Sequence, residues 1–348
     1  MYPYARERHL AELAVLRASI LTKRVQSAVG EIAKDDNSPV TIADFAAQAL
    51  IIGALRDVFP DDAFLGEEGS AALRQEETLR NEVYELVSSA PAVTDLDAKG
   101  AVLAKPTSVE EMLDCLDLGG RGTGGDTGRV WIMDPVDGTA AFLKGQQYAV
   151  SLALIENGKE VVGVLGCPNI SAEMTKVTEE LIDTDGQGIM LTAARGQGST
   201  IRTMTLGGLG NAIALDILRP FCSPKLHIVD CVSGTDSRHD IVAKLADEFQ
   251  TTFPTTDTWS LHIRYAALIV GGGDVQVCVP PSPASKMHIW DHAGSQLIFT
   301  ELGGKVTDLD GKEIDFGAGR DLNRNRGMVV ARGGIHTAIL TALRRLCS

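Results

Sequence analysis

The sequence predicts a layered α/β protein, and its length and its pattern of apolar residues are the basis of that prediction. Its 348 residues exceed the length of about 250–300 at which single cores stop growing, so two domains or one large layered unit are expected. In the second half, predicted strands alternate with predicted helices, as in sheets covered by helices. The strands are expected near 189–194, 226–230, 274–279 and 327–331, and the helices over 238–248, 258–270, 291–302 and 333–346.

Two helices are predicted to open the chain. Apolar residues between positions 7 and 33 recur at helical spacing, which predicts one long amphipathic helix. The segment 35–40 has the composition of a turn, and a second helix is predicted from Thr41 through Leu55. Asp44 lies in the first turn of that second helix.

Short strands and acidic turns are predicted next. A strand at 63–65 runs into the glycine-flanked acidic loop 66–69, and an apolar strand at 130–133 runs into the acidic turn 134–139. The other predicted elements of this region are helices over 78–89 and 107–117, a flexible surface loop over 119–125, and paired strands over 150–155 and 161–165. We expect a domain boundary near 170–185, which gives domains 1–175 and 176–348.

Carboxylates concentrate at these predicted strand and helix ends. In Asp134-x-x-Asp137 the proline stiffens the turn, so that both carboxylates and the Val136 carbonyl can point to one side. Oxygen ligands of this kind suit Mg²⁺, which usually shares its coordination sphere with a substrate phosphate. Taken alone, an Asp-x-x-Asp pattern is more often a solvated turn.

Two neighbouring features allow both a functional and a structural interpretation. Gly138 and Thr139 open a short predicted helix, whose backbone amides can hold a phosphate oxygen. Asp291 is predicted to begin the helix over 291–302, where an aspartate is commonly only a cap.

Composition argues against several classes of function. The formal net charge is −14 and no Lys/Arg cluster interrupts the acidic background, so neither a nucleic-acid polymer nor an anionic membrane is an expected partner. The six cysteines show no CxxC spacing, which predicts neither a zinc site nor a disulfide framework. The N-terminus carries charges where a signal peptide would be apolar, and a cytoplasmic location is therefore expected. A small phosphorylated substrate is compatible with the acidic chain, because bound divalent cations invert the local field.

Four ordered motifs resemble the lithium-sensitive, magnesium-dependent phosphatases of the inositol monophosphatase superfamily. They are Lys34-x-Asp36-x-Ser38-Pro39-Val40-Thr41-x-Ala43-Asp44, Gly66-Glu67-Glu68, Asp134-Pro135-Val136-Asp137-Gly138-Thr139 and Trp290-Asp291-His292-Ala293-Gly294. Within that group the chain is most similar to the 3'(2'),5'-bisphosphate nucleotidases, on residues 21–27, 36–41, 166–169 and 315–320. The similarity covers nearly the whole chain.

The resemblance implies an α-β-α-β-α layered sandwich of the inositol monophosphatase and fructose-1,6-bisphosphatase type. An N-terminal α+β half would carry most metal ligands, and a C-terminal α/β half would carry Asp291 and the substrate pocket. Two or three Mg²⁺ ions are implied. The expected ligands are Glu67, Asp134 and the Val136 carbonyl for one ion, Asp134, Asp137 and Asp291 for a second, and Glu67 and Asp44 near a third, with Glu68 in support.

The resemblance also implies a mechanism without a covalent intermediate. Asp44 and Thr139 would orient and deprotonate a water that attacks the phosphate in line. Gly138 and Thr139 would bind the phosphate. His292, although it follows Asp291 directly, is expected to be structural.

The chain departs from the family at positions where basic residues usually lie. Ala140 follows Thr139 where the family has a basic residue, and Cys278 and His288 stand in regions where the nucleotidases carry basic residues. The substrate-binding candidates, each with a solvated or locally paired alternative, are Ser237, Arg238, His239, Arg264, Tyr265, His288 and Arg320.

Three functions are consistent with these residues. The first is hydrolysis of 3'-phosphoadenosine 5'-phosphate to AMP and phosphate, requiring Mg²⁺ and inhibited by Li⁺. The second is the same chemistry on an inositol phosphate, a sugar phosphate or a phosphorylated specialised metabolite. The third is a ligand-binding homologue without turnover, and the presence of Asp44 and Thr139 beside the metal ligands speaks against it. The sequence predicts no oligomeric state.

Overall fold

A computed structural model describes residues 2–29, 38–95, 101–223 and 225–347. Their helices are α1 (Ala5–Val29), α2 (Ser38–Val58), α3 (Ala71–Gln75), α4 (Glu77–Ser89), α5 (Val109–Gly120), α6 (Thr139–Phe142), α7 (His239–Glu248), α8 (Leu261–Ile269), α9 (Ser295–Glu301) and α10 (His336–Leu346). Their strands are β1 (Ala63–Gly66), β2 (Thr94–Asp95), β3 (Ala101–Val102), β4 (Arg129–Asp137), β5 (Ala149–Glu156), β6 (Lys159–Cys167), β7 (Ile189–Ala194), β8 (Ser199–Thr205), β9 (Gly208–Leu209), β10 (Ile213–Ala214), β11 (Val229–Asp230), β12 (Thr256–Asp257), β13 (Val275–Cys278), β14 (Lys305–Thr307) and β15 (Met328–Ala331).

The main sheet of the described residues has the order β1-β4-β5-β6-β7-β8-β10, with β9 also paired to β8. Strands β1 and β4 run parallel, whereas the pairs from β4 through β8 are antiparallel. The interior of β4 is buried on both faces, which explains its nearly continuous apolar sequence before Asp134. A smaller sheet has the order β13-β15-β14.

Helices and sheets stack in five layers. Helices α1 and α2 pack on one face of the main sheet, and α8 and α9 pack on its other face. The small sheet lies beyond α8 and α9, and α7 and α10 close the stack through contacts with that sheet and with each other. The predicted α-β-α-β-α sandwich is confirmed. No helix in the described ranges is both long and apolar enough to cross a membrane.

Several predicted boundaries differ from the structure. The first helix is described as far as Val29, and residues 35–37 of the predicted turn lie outside the described residues. The prediction of a turn was wrong over 38–40, because the second helix begins at Ser38 and not at Thr41. The prediction of a flexible loop over 119–125 was wrong at its start, because Gly119 and Gly120 end α5. The helix predicted from Asp291 begins only at Ser295, so Asp291 lies in the preceding turn and does not cap α9. The domain boundary stays a prediction, and the main sheet continues past it through the pairing of β6 with β7.

Candidate functional site

The parallel strands β1 and β4 bring two acidic loops to one edge of the main sheet. Gly66, at the end of β1, lies beside Met133 of β4, so Glu67 and Asp134 follow at neighbouring positions. The register of β4 against β5 shifts between Asp134 and Asp137. Such an irregularity bends a strand and redirects its side chains. The Asp-x-x-Asp pattern therefore lies at a distorted strand end beside the acidic loop of Glu67.

Helix α2 adds Asp44 to this edge of the sheet. The helix packs against β4, and Asp44 is only 7% exposed. Burial raises the pKa of Asp44 well above its ordinary value, and the charges of Glu68, Glu67 and Asp137 raise it further. A hydrogen bond from the Val136 backbone lowers the pKa of Asp44 and partly offsets these effects. Asp44 therefore faces the other carboxylates of the site.

The remaining carboxylates influence one another in the same way. Burial raises the pKa of Asp134 well above its ordinary value, and so do the charges of Asp137, Glu67 and Asp291. Burial, Asp137 and Glu67 likewise raise the pKa of Asp291. Glu67 reaches solvent at the rim, and its pKa is raised by partial burial and by Asp137. Burial and Glu67 raise the pKa of Glu68 to about 7. The structure thus brings these predicted acids around one region.

The donor atoms of this acidic cluster suit a hard cation. Asp44 Oδ1 and Asp134 Oδ1 are buried and accept no hydrogen bond from the described residues. Buried carboxylate oxygens without partners are unfavourable, and oxygen donors of this type are those that Mg²⁺ prefers. Within the described ranges, no group of three or more His, Cys, Asp or Glu side chains is arranged so that it could hold a metal ion as it stands. The fit to Mg²⁺ therefore rests on the donor chemistry and on the two unpartnered oxygens.

Comparison with known proteins identifies the family. Residues 7–347 match the model of the inositol monophosphatase family. The chain belongs to this family. It is 37% identical over 353 residues to the 3'(2'),5'-bisphosphate nucleotidase of Emericella nidulans, covering 99% of each chain. It is 36% identical over 360 residues to the enzyme of the same name from Schizosaccharomyces pombe, covering 98% of this chain and 96% of that one.

A solved structure from the family shows the same fold. The inositol monophosphatase from Anabaena (Nostoc) sp. PCC 7120 superposes with a TM-score of 0.59 at 18% sequence identity. The similarity covers 99% of this chain and 97% of that one.

Sequence reasoning missed the residues that hold Asp137. Its Oδ2 accepts hydrogen bonds from Ser260 Oγ at 2.5 Å and from the His262 backbone amide at 2.6 Å. Ser260 is also the N-cap of α8, because its Oγ accepts from the Ile263 amide. Helix N-termini favour negative charge. The serine before an apolar helix was the available sequence signal, but Asp137 lies more than 120 residues away.

Sequence reasoning also missed Gln48, which fixes the acidic loop after β1. Its Nε2 donates to the Glu68 carbonyl at 2.7 Å, and its Oε1 accepts from the Glu68 amide at 3.0 Å. Gln48 lies one helical turn after Asp44 on α2 and has no exposed surface. A Cβ at Gly66 or at Gly119 would overlap this side chain. Helix α2 therefore positions both Asp44 and the loop of Glu67 and Glu68.

Gly138 and Thr139 form the turn that follows Asp137. Gly138 has a φ of 96°, which glycine adopts readily, and a Cβ there would lie 2.8 Å from the Ser260 Cβ. Its carbonyl accepts hydrogen bonds from Ala141 and Phe142, which close the short helix α6. Thr139 is exposed at the start of that helix. The predicted phosphate contact at this turn stays a prediction.

His288 and Arg320 lie near Glu67, and both lower the pKa of that carboxyl. His288 stacks on Trp290 with ring centroids 4.6 Å apart and bonds Asp321 through Nδ1. The Arg320 guanidinium also lies over the Trp290 ring, 4.8 Å from its centroid. It also donates to the carbonyls of Gly66, Gly119, Gly120 and Gly122. These bonds indicate that Arg320 positions the loops around Glu67.

The three substrate-binding candidates at the start of α7, residues 237–239, are held by local contacts. Ser237 is buried and its Oγ accepts from a backbone amide. Arg238 is paired with Asp240 at the surface. His239 is held through both ring nitrogens by the loop 230–234. These contacts match the locally paired alternative for Arg238 and His239.

Helix α8 is buried on all sides, so its two substrate-binding candidates, Arg264 and Tyr265, are buried as well. Tyr265 has no exposed surface and its hydroxyl contacts Met328 Sδ in the core, so the structure does not place Tyr265 at the surface of the site. Arg264 is 5% exposed and donates to the carbonyls of Thr258 and Trp259. His292 is also buried, and burial lowers its pKa to about 3. A neutral, enclosed His292 agrees with the structural role predicted for it.

Proposed function

We propose that this chain is a Mg²⁺-dependent 3'(2'),5'-bisphosphate nucleotidase that hydrolyses 3'-phosphoadenosine 5'-phosphate to AMP and phosphate. The observation that carries the proposal is the 37% identity to a nucleotidase over 99% of both chains. The acidic cluster at the edge of the main sheet supplies the oxygen donors that this chemistry requires. A small anionic metabolite is compatible with this acidic surface only when cations neutralise it.

The proposed metal ligands come from four parts of the fold: Asp44 from α2, Glu67 from the loop after β1, Asp134, Val136 and Asp137 from β4, and Asp291 from the turn before α9. Glu67, Asp134 and the Val136 carbonyl would hold one Mg²⁺, and Asp134, Asp137 and Asp291 a second, with a third near Glu67 and Asp44. Bound there, divalent cations supply neutralisation of phosphate charge and make water more acidic. The protein contributes fixed positions for the reacting groups, which is the main requirement of phosphoryl transfer.

Asp44 is suited to hold a proton during the reaction. Burial and the charges of Glu68, Glu67 and Asp137 raise its pKa in the metal-free chain. Bound cations would offset the effect of these charges, so the role proposed for Asp44 rests on its burial and its position beside the other carboxylates. Its Oδ1 has no partner among the described residues. Thr139 would orient the attacking water together with Asp44, and the amides at the start of α6 would hold a phosphate oxygen.

A second substrate class is favoured by the altered basic positions. Ala140, Cys278 and His288 occupy places where the resemblance leads us to expect basic residues, and Arg264 is buried and bonded to carbonyls. A pocket with fewer free cations would bind a second phosphate less strongly. An inositol phosphate, a sugar phosphate or another phosphorylated metabolite is therefore the alternative substrate.

The substrate is tested by phosphate release from a panel with saturating Mg²⁺. The panel contains 3'-phosphoadenosine 5'-phosphate, 2'-AMP, 3'-AMP, inositol 1-phosphate and fructose 1,6-bisphosphate. We expect 3'-phosphoadenosine 5'-phosphate to have a kcat/KM at least about 100-fold above that of inositol 1-phosphate, and Li⁺ to inhibit the reaction. Equal kcat/KM values for these two compounds would remove the nucleotide from the proposal, and a preference for inositol 1-phosphate or fructose 1,6-bisphosphate would favour the alternative class.

A further inference from the structure

His262 connects the two elements that carry Asp137 and Asp291. Its backbone amide donates to Asp137 Oδ2 at 2.6 Å. Its ring lies between Trp290 O, 2.9 Å from Nε2, and Ser295 Oγ, 2.6 Å from Nδ1. The residue has no exposed surface. One side chain therefore spans from the first turn of α8 to both ends of the turn that contains Asp291.

The donor and the acceptor can be assigned in both hydrogen bonds of the His262 ring. A carbonyl can only accept, so Nε2 carries the proton and donates to Trp290 O. In the neutral ring Nδ1 is then an acceptor, and the Ser295 hydroxyl donates to it. Trp290 immediately precedes Asp291, and Ser295 is the first residue of α9. His262 thus fixes the peptide before Asp291 and the helix start after it.

The connection to Asp137 is equally direct. Ser260 Oγ and the His262 amide both bind the same oxygen, Oδ2. This leaves Oδ1 of Asp137 for another ligand. Since α8 holds Asp137 through its first turn and the Asp291 turn through the His262 ring, the separation of the two aspartates depends on His262.

We propose that His262 is a positioning residue that sets the separation of Asp137 and Asp291 and thereby the affinity of the metal ion they share. This inference rests on the proposed function for the assignment of these aspartates as ligands. Groups that orient metal ligands through hydrogen bonds typically change metal affinity by about 10–100-fold when removed. His262 takes no part in the reaction itself.

The test is Mn²⁺ binding measured by electron paramagnetic resonance without substrate, together with the Mg²⁺ dependence of phosphate release. His262→Leu removes both ring contacts and keeps the backbone bond to Asp137. We expect it to weaken Mn²⁺ binding at one site by about 10-fold or more. His262→Gln keeps a donor for Trp290 O, and we expect binding close to that of the parent. With saturating Mg²⁺, the substrate KM should be nearly unchanged in both variants.

Two further variants separate positioning from general stability. His336 is another buried histidine, bonded to Thr307 in the outer layers, and His336→Leu should bind Mn²⁺ as the parent does. If His262→Leu does not fold, Ser295→Ala decides, because it removes one ring contact and should weaken binding several-fold. The inference would be overturned if a folded His262→Leu variant bound Mn²⁺ as tightly as the parent. If that variant is unfolded, parent-like Mn²⁺ affinity in Ser295→Ala would overturn it. Mn²⁺ binding is measured without turnover, so the result can be interpreted even if the proposed substrate is wrong.

Discussion

Asp134 shows most clearly how single residues determine the chemistry of this site. It is 3% exposed, lies among four other carboxylates, and its Oδ1 has no hydrogen-bond partner in the described chain. A buried carboxylate in such surroundings is unfavourable unless a proton or a cation neutralises it. Mg²⁺ is the neutralising partner that agrees with the oxygen-only donor set.

We predict that Asp134→Asn lowers turnover by more than about 100-fold, because it removes charge from a ligand proposed for two ions. The change removes little volume, so the chain should remain folded. Asp308→Asn is the matched control, since Asp308 is equally buried but its carboxylate accepts from the amides of Asp310 and Lys312. Phosphate release and thermal unfolding should be measured for both. Near-parent turnover in Asp134→Asn would refute the assignment of this ligand.

The residues that carry charge could be predicted from sequence, whereas those that hold them could not. Asp44, Glu67, Asp134, Asp137 and Asp291 lie in compact motifs with recognisable spacing. Ser260, His262 and Gln48 act through contacts that exist only after the layers pack. Ser260 is marked locally as a helix cap, but neither its contact with Asp137 nor the contacts of His262 and Gln48 have a local pattern. The burial of Tyr265 has a related cause: α8 is enclosed by neighbours from other layers, and the sequence of an apolar helix does not show which of its residues those neighbours will cover.

At the scale of elements, α2 acts as the support of the acidic loop. It carries Asp44, and one turn later Gln48 pairs with both backbone groups of Glu68. The position of Glu67 therefore depends on the helix that directly precedes β1. The start of this helix was predicted at Thr41, three residues after its observed start at Ser38, because the segment 35–40 has the composition of a turn.

We predict that Gln48→Met lowers the free energy of unfolding by about 1–3 kcal/mol, since it leaves two backbone groups of Glu68 without partners. It should also raise the Mg²⁺ concentration needed for half-maximal activity. Urea denaturation and Mg²⁺ titration of activity measure the two effects. Gln187→Met is the control, because the Gln187 side chain bonds only the neighbouring Gly186 carbonyl in the contacts described here. Equal behaviour of the two variants would show that α2 does not position the loop.

At the scale of the whole molecule, the acidic cluster couples stability to pH and to metal. Asp44, Asp134 and Asp291 have raised pKa values in the folded chain, and that of Glu68 is about 7. Ordinary carboxyl pKa values in an unfolded chain are about 4. Between these values the folded chain holds more protons than the unfolded chain, so the free energy of unfolding falls as pH rises.

We predict that the metal-free protein loses stability from about pH 4 to pH 7, through repulsion within the cluster. Saturating Mg²⁺ should remove most of this loss at neutral pH, because binding to the folded state stabilises it. Thermal unfolding at several pH values, with chelator or with Mg²⁺, measures both effects. Stability of the chelated protein that rises steadily over this range would contradict the predicted sign.

The layered fold follows from the alternation of strands and helices, and the confirmed order of layers brings together acids from residues 44 to 291. Their convergence is a property of the parallel β1–β4 pair and of the packing of α2, α8 and α9. Local sequence patterns predict neither this strand pairing nor this helix packing. Only the resemblance to a family predicted that the acids converge.

The most direct measurement is anomalous diffraction from crystals of the protein soaked with Mn²⁺ and phosphate. We expect at least two metal peaks enclosed by Glu67, Asp134, Asp137 and Asp291, with phosphate beside Gly138 and Thr139. Ordered phosphate elsewhere, or the absence of any metal among these four carboxylates at saturating Mn²⁺, would contradict it.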